Sequence, residues 1–551
     1  MDLAKIDALP AAWLKVIGQR RFRSSSSVKQ GERNDSVFRQ ARELRQRGIS
    51  RGEAQTQLSQ FNVEQCDPPL PASEVESCLN SAWRYAPSYE LNDLGNAKRF
   101  VAMVDGDVRY VIELRKFVTW KGNRWFYDES SLDCLARMKV SNHRIWDEIA
   151  STTDPDKQKA MSKFATSSQN TNRLKLALES VKSEPGIAIS VHEFDSDPFL
   201  VGVLNGVIDL KRGEFRESRR EDYISKSLDC EYWSGGKAPL WERFLDEVMS
   251  HDRDLIEYLR RIVGYCLTGD TSEQVLFFAH GSGANGKSVF LETIKALLGD
   301  YGRNLRTEVL MVRSRSGGAS EDEARLHGAR YVTVNETSEG SRFNDSMIKD
   351  LTGGDTITAR YLYQGSFEYR PTYKIVIRGN NRPAFSGSDG GMARRIRMIP
   401  FDQVIPKSKR DAQLPEKLRG ELSGILNWAI EGCLSWQRKG LIEPEAAARA
   451  TGGYVREMDI VSNFISEVCL QKSSYFESAS LLRKSFSAWC DSNGVDEMGW
   501  KLVSDSLKQR GFRQGRKRVK GKIERGWHGL KIAEASNRVA PVRRGKRRRS
   551  S

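Results

Sequence analysis

Residues 281–288 have the types and spacing of a phosphate-binding loop. They read GSGANGKS, which fits G-x(4)-G-K-[ST], and they lie between the apolar run VLFFAH and the helix-like run VFLETIKALLG. Glycines let backbone N–H groups turn toward phosphate oxygens, and the start of a helix adds partial positive charge. Lys287 is predicted to reach the β- and γ-phosphates, and Ser288 to hold Mg²⁺. The predicted nucleotide-binding residues are Gly281, Ser282, Gly283, Ala284, Asn285, Gly286, Lys287, Ser288 and Val289.

Two later strand-like runs end in groups suited to nucleotide hydrolysis. RYVTVNE ends at Glu336, which is predicted to bind the metal and polarise the attacking water, with Glu339 as the alternative. YKIVIRGNN ends in two amides, of which Asn380 is preferred over Asn381 for the γ-phosphate or the water. The other interpretations are an ordinary surface acid and a turn at Asn-Asn-Arg-Pro.

An arginine-rich segment follows the amides. GGMARRIRMIPF presents Arg394, Arg395 and Arg397 ahead of a strand. In ring-shaped NTPases, an arginine of one subunit can stabilise transition-state charge at the neighbouring subunit's γ-phosphate. A solvated charged face is the other interpretation, and the residues do not decide which arginine would act.

These groups require a strand–loop–helix framework, and the surrounding pattern predicts one. Short apolar runs alternate with helix-like stretches over residues 275–405, as expected of an α/β sheet. Periodicity and composition elsewhere predict further modules. The predicted order is a leader over 1–31, a small helical module over 32–90, a mixed α/β domain over 91–235, a P-loop α/β core over 236–406, a helical extension over 407–472, a helix–helix–ribbon module over 473–535 and a disordered basic tail over 536–551.

The composition argues against a membrane-spanning protein and favours a polyanionic partner. Hydrophobic content is 39%, charged content is 29%, and no apolar run reaches the length of a membrane span. Eight scattered cysteines and six histidines show no metal-ligand spacing and favour reduced thiols. The net charge is +16, and residues 501–551 contain 18 Lys/Arg against three acids, so this end carries +15. A basic C-terminal end of this kind predicts binding to nucleic acid. The alternative is a tail that only increases solubility.

The order of the motifs resembles superfamily-three helicases. It is closer still to the phage/plasmid primase–helicase family that includes satellite-phage and poxvirus-type proteins. The matching strings include GYCLTGDTSEQVLFFAHGSGANGKS, IKDLTGGDTITARYLY, RRIRMIPF and GILNWAIEGCLSWQRKGL. The resemblance implies an AAA+-like ATPase core that forms hexameric rings, translocates 3′→5′ on single-stranded DNA and acts at a replication origin. ATP or another NTP with Mg²⁺ would be the cofactor.

The resemblance also implies roles for individual residues. Lys287 and Ser288 correspond to Walker A, Glu336 to Walker B, Asn380 to sensor one and Arg395 to the arginine finger. Many Walker B strands in this superfamily end in two adjacent acids, whereas Asn335 stands here in place of the first. The segment GGDTITAR corresponds to the stretch that carries a DNA-facing loop, with Lys349 and Arg360 as its basic members.

The basic end resembles a winged helix, which would contact duplex DNA. Its predicted wing cations are Arg513, Arg516, Lys517, Arg518, Lys520, Lys522 and Arg525. The residues before position 32 are too few for a catalytic primase domain, so primer synthesis by this chain alone is not expected. We also expect a separate primase or polymerase as a partner, a location in the cytoplasm of a bacterial host, and no association with a membrane. The competing function is a non-hydrolysing origin-binding scaffold that uses NTP for assembly.

Overall fold

The computed structural model divides into two compact units, Met1–Phe194 and Asp195–Ser551. Each unit has hydrophobic clusters of its own. The structure describes residues 31–46, 49, 51–84, 89–312, 321–335, 341–360, 366–385, 390–493, 497–519 and 522–533.

The first unit begins with a three-helix module, as the periodicity predicts. Its helices are α1 (Arg33–Gln46), α2 (Arg51–Gln65) and α3 (Ala72–Arg84). Their apolar faces meet in one cluster. The buried Asn62 amide fixes the α2–α3 connection, because its Nδ2 donates to Leu70 O at 2.9 Å and its Oδ1 accepts from Leu70 N at 2.8 Å.

The rest of the first unit combines a small sheet with helices. The strands are β1 (Val108–Val111), β2 (Lys116–Trp120), β3 (Trp125–Asp128) and β4 (Ala188–Ile189), in the order β3-β2-β1-β4. The helices are α4 (Asp93–Val104), α5 (Leu132–His143), α6 (Ile145–Ala150), α7 (Pro155–Ser168) and α8 (Thr171–Val181). The predicted hairpin around Gly122-Asn123 is confirmed, with Trp120 paired to Trp125.

The second unit opens with a three-stranded antiparallel sheet. Its strands are β5 (Leu200–Val203), β6 (Gly206–Asp209) and β7 (Glu214–Arg216). The buried Arg330 holds it in this unit, because its Nη1 donates to Leu267 O at 2.5 Å and its Nη2 to Leu200 O at 2.6 Å. The structure therefore divides the segment 91–235, which the sequence pattern presents as one mixed domain.

A five-stranded, all-parallel sheet forms the centre of the second unit. Its strands are β8 (Leu276–His280), β9 (Gly302–Leu305), β10 (Tyr331–Val334), β13 (Lys374–Gly379) and β14 (Ile396–Pro400), in the order β14-β8-β13-β10-β9. Side chains alternate between two cores; Phe277 enters one and Phe278 the other. The predicted α/β class with a parallel sheet is confirmed.

Helices cover this sheet, and a separate hairpin interrupts its sequence. The helices are α9 (Pro239–Val248), α10 (Arg253–Leu267), α11 (Lys287–Leu298), α12 (Thr307–Leu310), α13 (Glu321–Ala324), α14 (Asp345–Thr352) and α15 (Gly390–Ala393). The hairpin pairs β11 (Ile357–Arg360) with β12 (Ser366–Tyr369). The sequence pattern identified four of the five central strands and missed β9, whose residues GRNL lack a continuous apolar run.

The C-terminal part continues with helices and ends in a small sheet. The helices are α16 (Leu414–Arg419), α17 (Leu422–Lys439), α18 (Glu445–Met458), α19 (Ile460–Val468), α20 (Ala479–Asn493) and α21 (Trp500–Gln509). The strands are β15 (Cys469–Ser478), β16 (Arg513–Val519) and β17 (Lys522–Ile532), in the order β15-β17-β16. The predicted two helices and two strands are present, and β15 is an additional strand that the sequence pattern did not indicate. Among the described residues, no helix is long and apolar enough to cross a membrane.

Candidate nucleotide site and DNA-facing surfaces

The predicted phosphate-binding loop joins β8 to α11 at the carboxyl edge of the sheet. Gly283 and Gly286 have φ of 98° and 84°, which favour glycine. A Cβ on Gly286 would also lie 2.6 Å from Val248 Cγ1, and a Cβ on Gly281 would lie 2.2 Å from Phe401 O. Close packing therefore requires glycine at both of these ends of the loop.

Asn285 holds the loop against the end of β14. Its side chain is buried, and its Nδ2 donates to Phe401 O at 2.7 Å. The sequence pattern includes Asn285 among the nucleotide-binding residues; the structure gives its side chain a bracing role and leaves its backbone N–H in the loop.

Lys287 and Asn380 meet above the loop, as their predicted roles require. Gly379 pairs with His280 in the parallel register of β13 and β8, so the two strand ends lie side by side. The buried Lys287 Nζ donates to Gly281 O at 2.6 Å and to Asn380 Oδ1 at 3.0 Å. An ammonium group only donates, so the amide oxygen faces Lys287 and the Asn380 NH₂ group is available to another acceptor.

These groups open into a cavity of about 560 Å³. This volume lies within the range of small-molecule sites. Gly283–Val289 of the loop line one end, while Gly281 and the exposed Ser282 are not part of the lining. Four apolar side chains line the cavity as well, which suits a flat ring beside a phosphate chain: Leu240, Phe244, Ile405 and Leu414.

The predicted acids Glu336 and Glu339 lie outside the described residues. The strand that leads to them, β10, runs beside β13 with Val334 opposite Ile377. The last described position before them is Asn335, which is exposed and whose carbonyl accepts a hydrogen bond from the Thr307 hydroxyl. The strand order thus brings the end of β10 next to the strand that carries Asn380.

The predicted arginines lie at the opposite edge of the sheet from the loop. Ile396, the first residue of β14, pairs with Leu276, the first residue of β8. Arg395 is buried; its Nε donates to Thr352 Oγ1 at 3.0 Å and its Nη1 to Gly391 O at 2.9 Å. The side chain of Arg394 is exposed.

Arg397, the third arginine, is half-buried, with its Nε 3.7 Å from Glu443 Oε2. A strand length separates these arginines from the loop of their own chain. They are therefore too far along the sheet to contact the loop of their own chain.

Two further polar side chains near the loop, His280 and Arg378, were not singled out by the sequence patterns. His280 ends β8, and burial together with the positive charges of Arg382 and Lys287 lowers its pKa. Arg378 lies on β13 and lines the cavity with Ser288. The signal for Arg378 was a charged residue inside the apolar run YKIVIRGNN, two positions before Asn380.

Ser288 offers an exposed hydroxyl at the start of α11, beside the predicted phosphate position. A hydroxyl together with phosphate oxygens is an oxygen donor set, which suits Mg²⁺. No cluster of three metal-binding side chains occurs among the described residues.

The predicted DNA-facing residues occupy two places. Lys349 lies on α14, half-buried, and Arg360 is the exposed last residue of β11, immediately before residues outside the described set. In the C-terminal sheet, β16 and β17 form a hairpin whose cations divide between two faces. Lys520 lies outside the described residues.

The register assigns these hairpin cations to faces. Arg516 lies opposite Arg525 and shares a face with Trp527, which is buried against the helices. Lys517 lies opposite Glu524, on the other face. Cations that stand directly opposite one another repel, so the Arg516–Arg525 pair concentrates positive charge on this face.

Comparisons with known proteins agree with this organisation. Residues 97–250 match the family model described as D5 N terminal like, residues 25–88 match Primase C terminal 1, and residues 279–395 match a family of unknown function. A protein of Acanthamoeba polyphaga mimivirus that carries helicase in its name is 29% identical over 327 residues, covering 55% of this chain and 34% of the relative. These matches make the chain similar to D5-type primase–helicases.

Two other relatives show similarly partial coverage. A Frog virus 3 protein with helicase in its name is 24% identical, covering 50% of this chain and 37% of the relative. Primase D5 of fowlpox virus is 25% identical, covering 40% and 30%, respectively. The match thus spans about a third of each D5-type relative. All three are proteins of eukaryotic viruses, so the expected phage or plasmid of a bacterial host has no support among them.

Among solved structures, the apo C-terminal region of NrS-1 matches with a TM-score of 0.47 and 12% identity. The match covers 80% of this chain and all of that one.

Proposed function

We propose that this chain is an ATP-dependent, ring-forming DNA helicase of the superfamily-three type that acts in replication. The observation that carries the proposal is the contact between Lys287 and Asn380 inside the loop cavity. It joins the predicted Walker A lysine, at the start of α11, to the predicted sensor amide, which directly follows β13. Relatives with helicase in their names support the same proposed function.

The proposed reaction is attack of water on the γ-phosphorus, which releases ADP and inorganic phosphate. Lys287 would exchange its protein acceptors for phosphate oxygens, and the Asn380 NH₂ group would donate to the γ-phosphate or the attacking water. When bound, Mg²⁺ would neutralise phosphate charge, with Ser288 as a ligand. Glu336, two residues after β10 in the sequence, would orient the water.

Ring assembly would complete the site. The sequence pattern gives Arg395 as the finger, yet its buried hydrogen bonds to Thr352 and Gly391 hold it within its own chain. Arg394, which is exposed at the same edge of the sheet, is better placed to reach a neighbour. We therefore propose Arg394 as the trans-acting residue and Arg395 as the side chain that positions this edge. The expected ring is a hexamer.

DNA would contact two basic surfaces. Arg360 at the end of β11, with Lys349 nearby in sequence, would face single-stranded DNA in the ring. The hairpin of β16 and β17 would bind duplex DNA in the manner of a winged helix, mainly through phosphates. The face that carries Arg516 and Arg525 is the proposed contact face, because two exposed arginines lie opposite one another there.

A strand-displacement assay tests the proposed function. Duplexes with a 3′ or a 5′ single-stranded tail are incubated with the protein, with and without ATP and Mg²⁺. We expect unwinding of the 3′-tailed duplex only, its loss in Lys287→Ala, and retained ATP binding without turnover in Glu336→Gln. DNA binding and assembly without hydrolysis in the wild type would instead favour the origin-binding scaffold.

A further inference from the structure

Arg378 places a second cation beneath the proposed phosphate position. Along β13, Ile375 and Ile377 enter one core, whereas Val376 enters the core shared with α11. By strand alternation, Arg378 projects from the same face as Val376 and Asn380. A charged side chain thus occupies a position at which the apolar face would otherwise continue.

The position of Arg378 brings it to the phosphate end of the cavity. Arg378 pairs with Ala279 of β8, two residues before Gly281, and lines the cavity beside Lys287 and Ser288. Asn380 lies only about 7 Å further along the strand, since a strand rises about 3.3 Å per residue. A long arginine side chain can cover this distance, so its guanidinium can approach the group that Asn380 and Lys287 would bind.

The Arg378 guanidinium has no protein partner among the described residues, although it is half-buried. Two other arginines of this unit have structural roles and can be compared with Arg378. Arg330 and Arg395 are buried and donate to oxygens of their own chain at 2.5–3.0 Å. Holding a partly desolvated cation without an acceptor costs free energy, which an anionic ligand would offset.

The charges around the cavity favour an anion at this end. The acids that line it are Glu247 on α9 and Asp411, and Asp411 is already paired with Lys417 at 2.6 Å. Lys287 and Arg378 both line the cavity.

We infer that Arg378 is a nucleotide-contacting residue that binds the phosphate chain from within the same subunit, beside Lys287. This inference rests on the proposed nucleotide site and assigns it a cation that acts in cis, distinct from the arginine expected from a neighbouring subunit. Because a guanidinium forms two parallel hydrogen bonds to phosphate, glutamine and methionine cannot replace it and lysine can do so only in part.

The test separates ligand binding from folding. Arg378→Met, Arg378→Gln and Arg378→Lys are compared with the wild-type chain by fluorescence titration with a labelled ATP and a labelled ADP, and by thermal unfolding without nucleotide. Arg449→Gln serves as the matched control, because Arg449 is an exposed arginine of the same unit, 4.0 Å from Glu445. We expect Arg378→Met to unfold at or above the wild-type temperature, because an unpaired cation is removed.

The same Met and Gln variants should bind the labelled nucleotide about 10- to 100-fold more weakly. Arg378→Lys should fall between these variants and the wild type, and the control should bind like the wild type. Wild-type affinity in the Met and Gln variants would overturn the inference. A lower unfolding temperature in both, with no recovery of affinity in Arg378→Lys, would assign a structural role and overturn it as well.

A different set of results would contradict the proposed nucleotide site itself. If the wild-type chain binds no nucleotide, or if Lys287→Ala binds it normally, the proposed function fails. If Lys287→Ala loses binding while all three Arg378 variants keep it, only the present inference fails.

Discussion

Replacing Asn380 with aspartate separates the two contacts assigned to this side chain. In the structure, the Asn380 oxygen accepts from Lys287 at 3.0 Å, so its NH₂ group faces away from the ammonium. Aspartate keeps an acceptor for Lys287 but replaces the donor with negative charge. Alanine removes both contacts. The two substitutions should therefore differ in stability and agree in loss of function.

The expected magnitudes follow from this geometry. Alanine deletes a hydrogen bond to a charged group, and because Asn380 itself is exposed, we expect a loss of about 1 kcal/mol in the free energy of unfolding. Aspartate should leave the free energy of unfolding at or above the wild-type value. A carboxylate about 4 Å from a phosphate oxygen costs about 4 kcal/mol at an effective dielectric constant near 20, or about a thousandfold in ATP affinity.

Urea unfolding without nucleotide and titration with a labelled ATP measure the two effects. Asn381→Asp is the matched control, because it places the same charge one residue further on, and its effect on affinity should be much smaller. If Asn380→Asp binds ATP within about threefold of the wild type, Asn380 does not face the phosphate and the site is misassigned.

Three further predictions concern the ring edge, the hairpin and pH. Arg394→Ala should keep the wild-type free energy of unfolding but lose turnover, whereas Arg395→Ala should lose about 2 kcal/mol on unfolding; a stable, inactive Arg395→Ala would restore Arg395 as the finger. Arg516→Glu should weaken duplex binding and flatten its salt dependence by about one counterion, and Lys517→Glu should do so less; equal effects would remove the distinction between the hairpin faces. Burial and two neighbouring cations lower the pKa of His280, so the unfolded chain takes up a proton first as the pH falls through about 6.5. The wild type should then lose stability relative to His280→Asn below that pH, and parallel melting curves of the two proteins would contradict this.

The sequence by itself determined the local features of the site. The glycine spacing, the lysine at the first position of α11 and the apolar runs of four central strands are short-range signals, and they suffice to predict a phosphate-binding loop between strand and helix. The amide at the end of β13 was predictable for the same reason, because the carboxyl ends of parallel strands share one edge of a sheet.

Tertiary structure decided which side chains share that edge and which are held elsewhere. Periodicity cannot show that Asn285 braces the loop or that Arg395 is buried, because each depends on an acceptor distant in sequence. It also cannot show that Arg378 faces the cavity, since this depends on the pairing of β13 with β8. The strand order, set by packing between distant segments, is what brings the loop and the amide of Asn380 together.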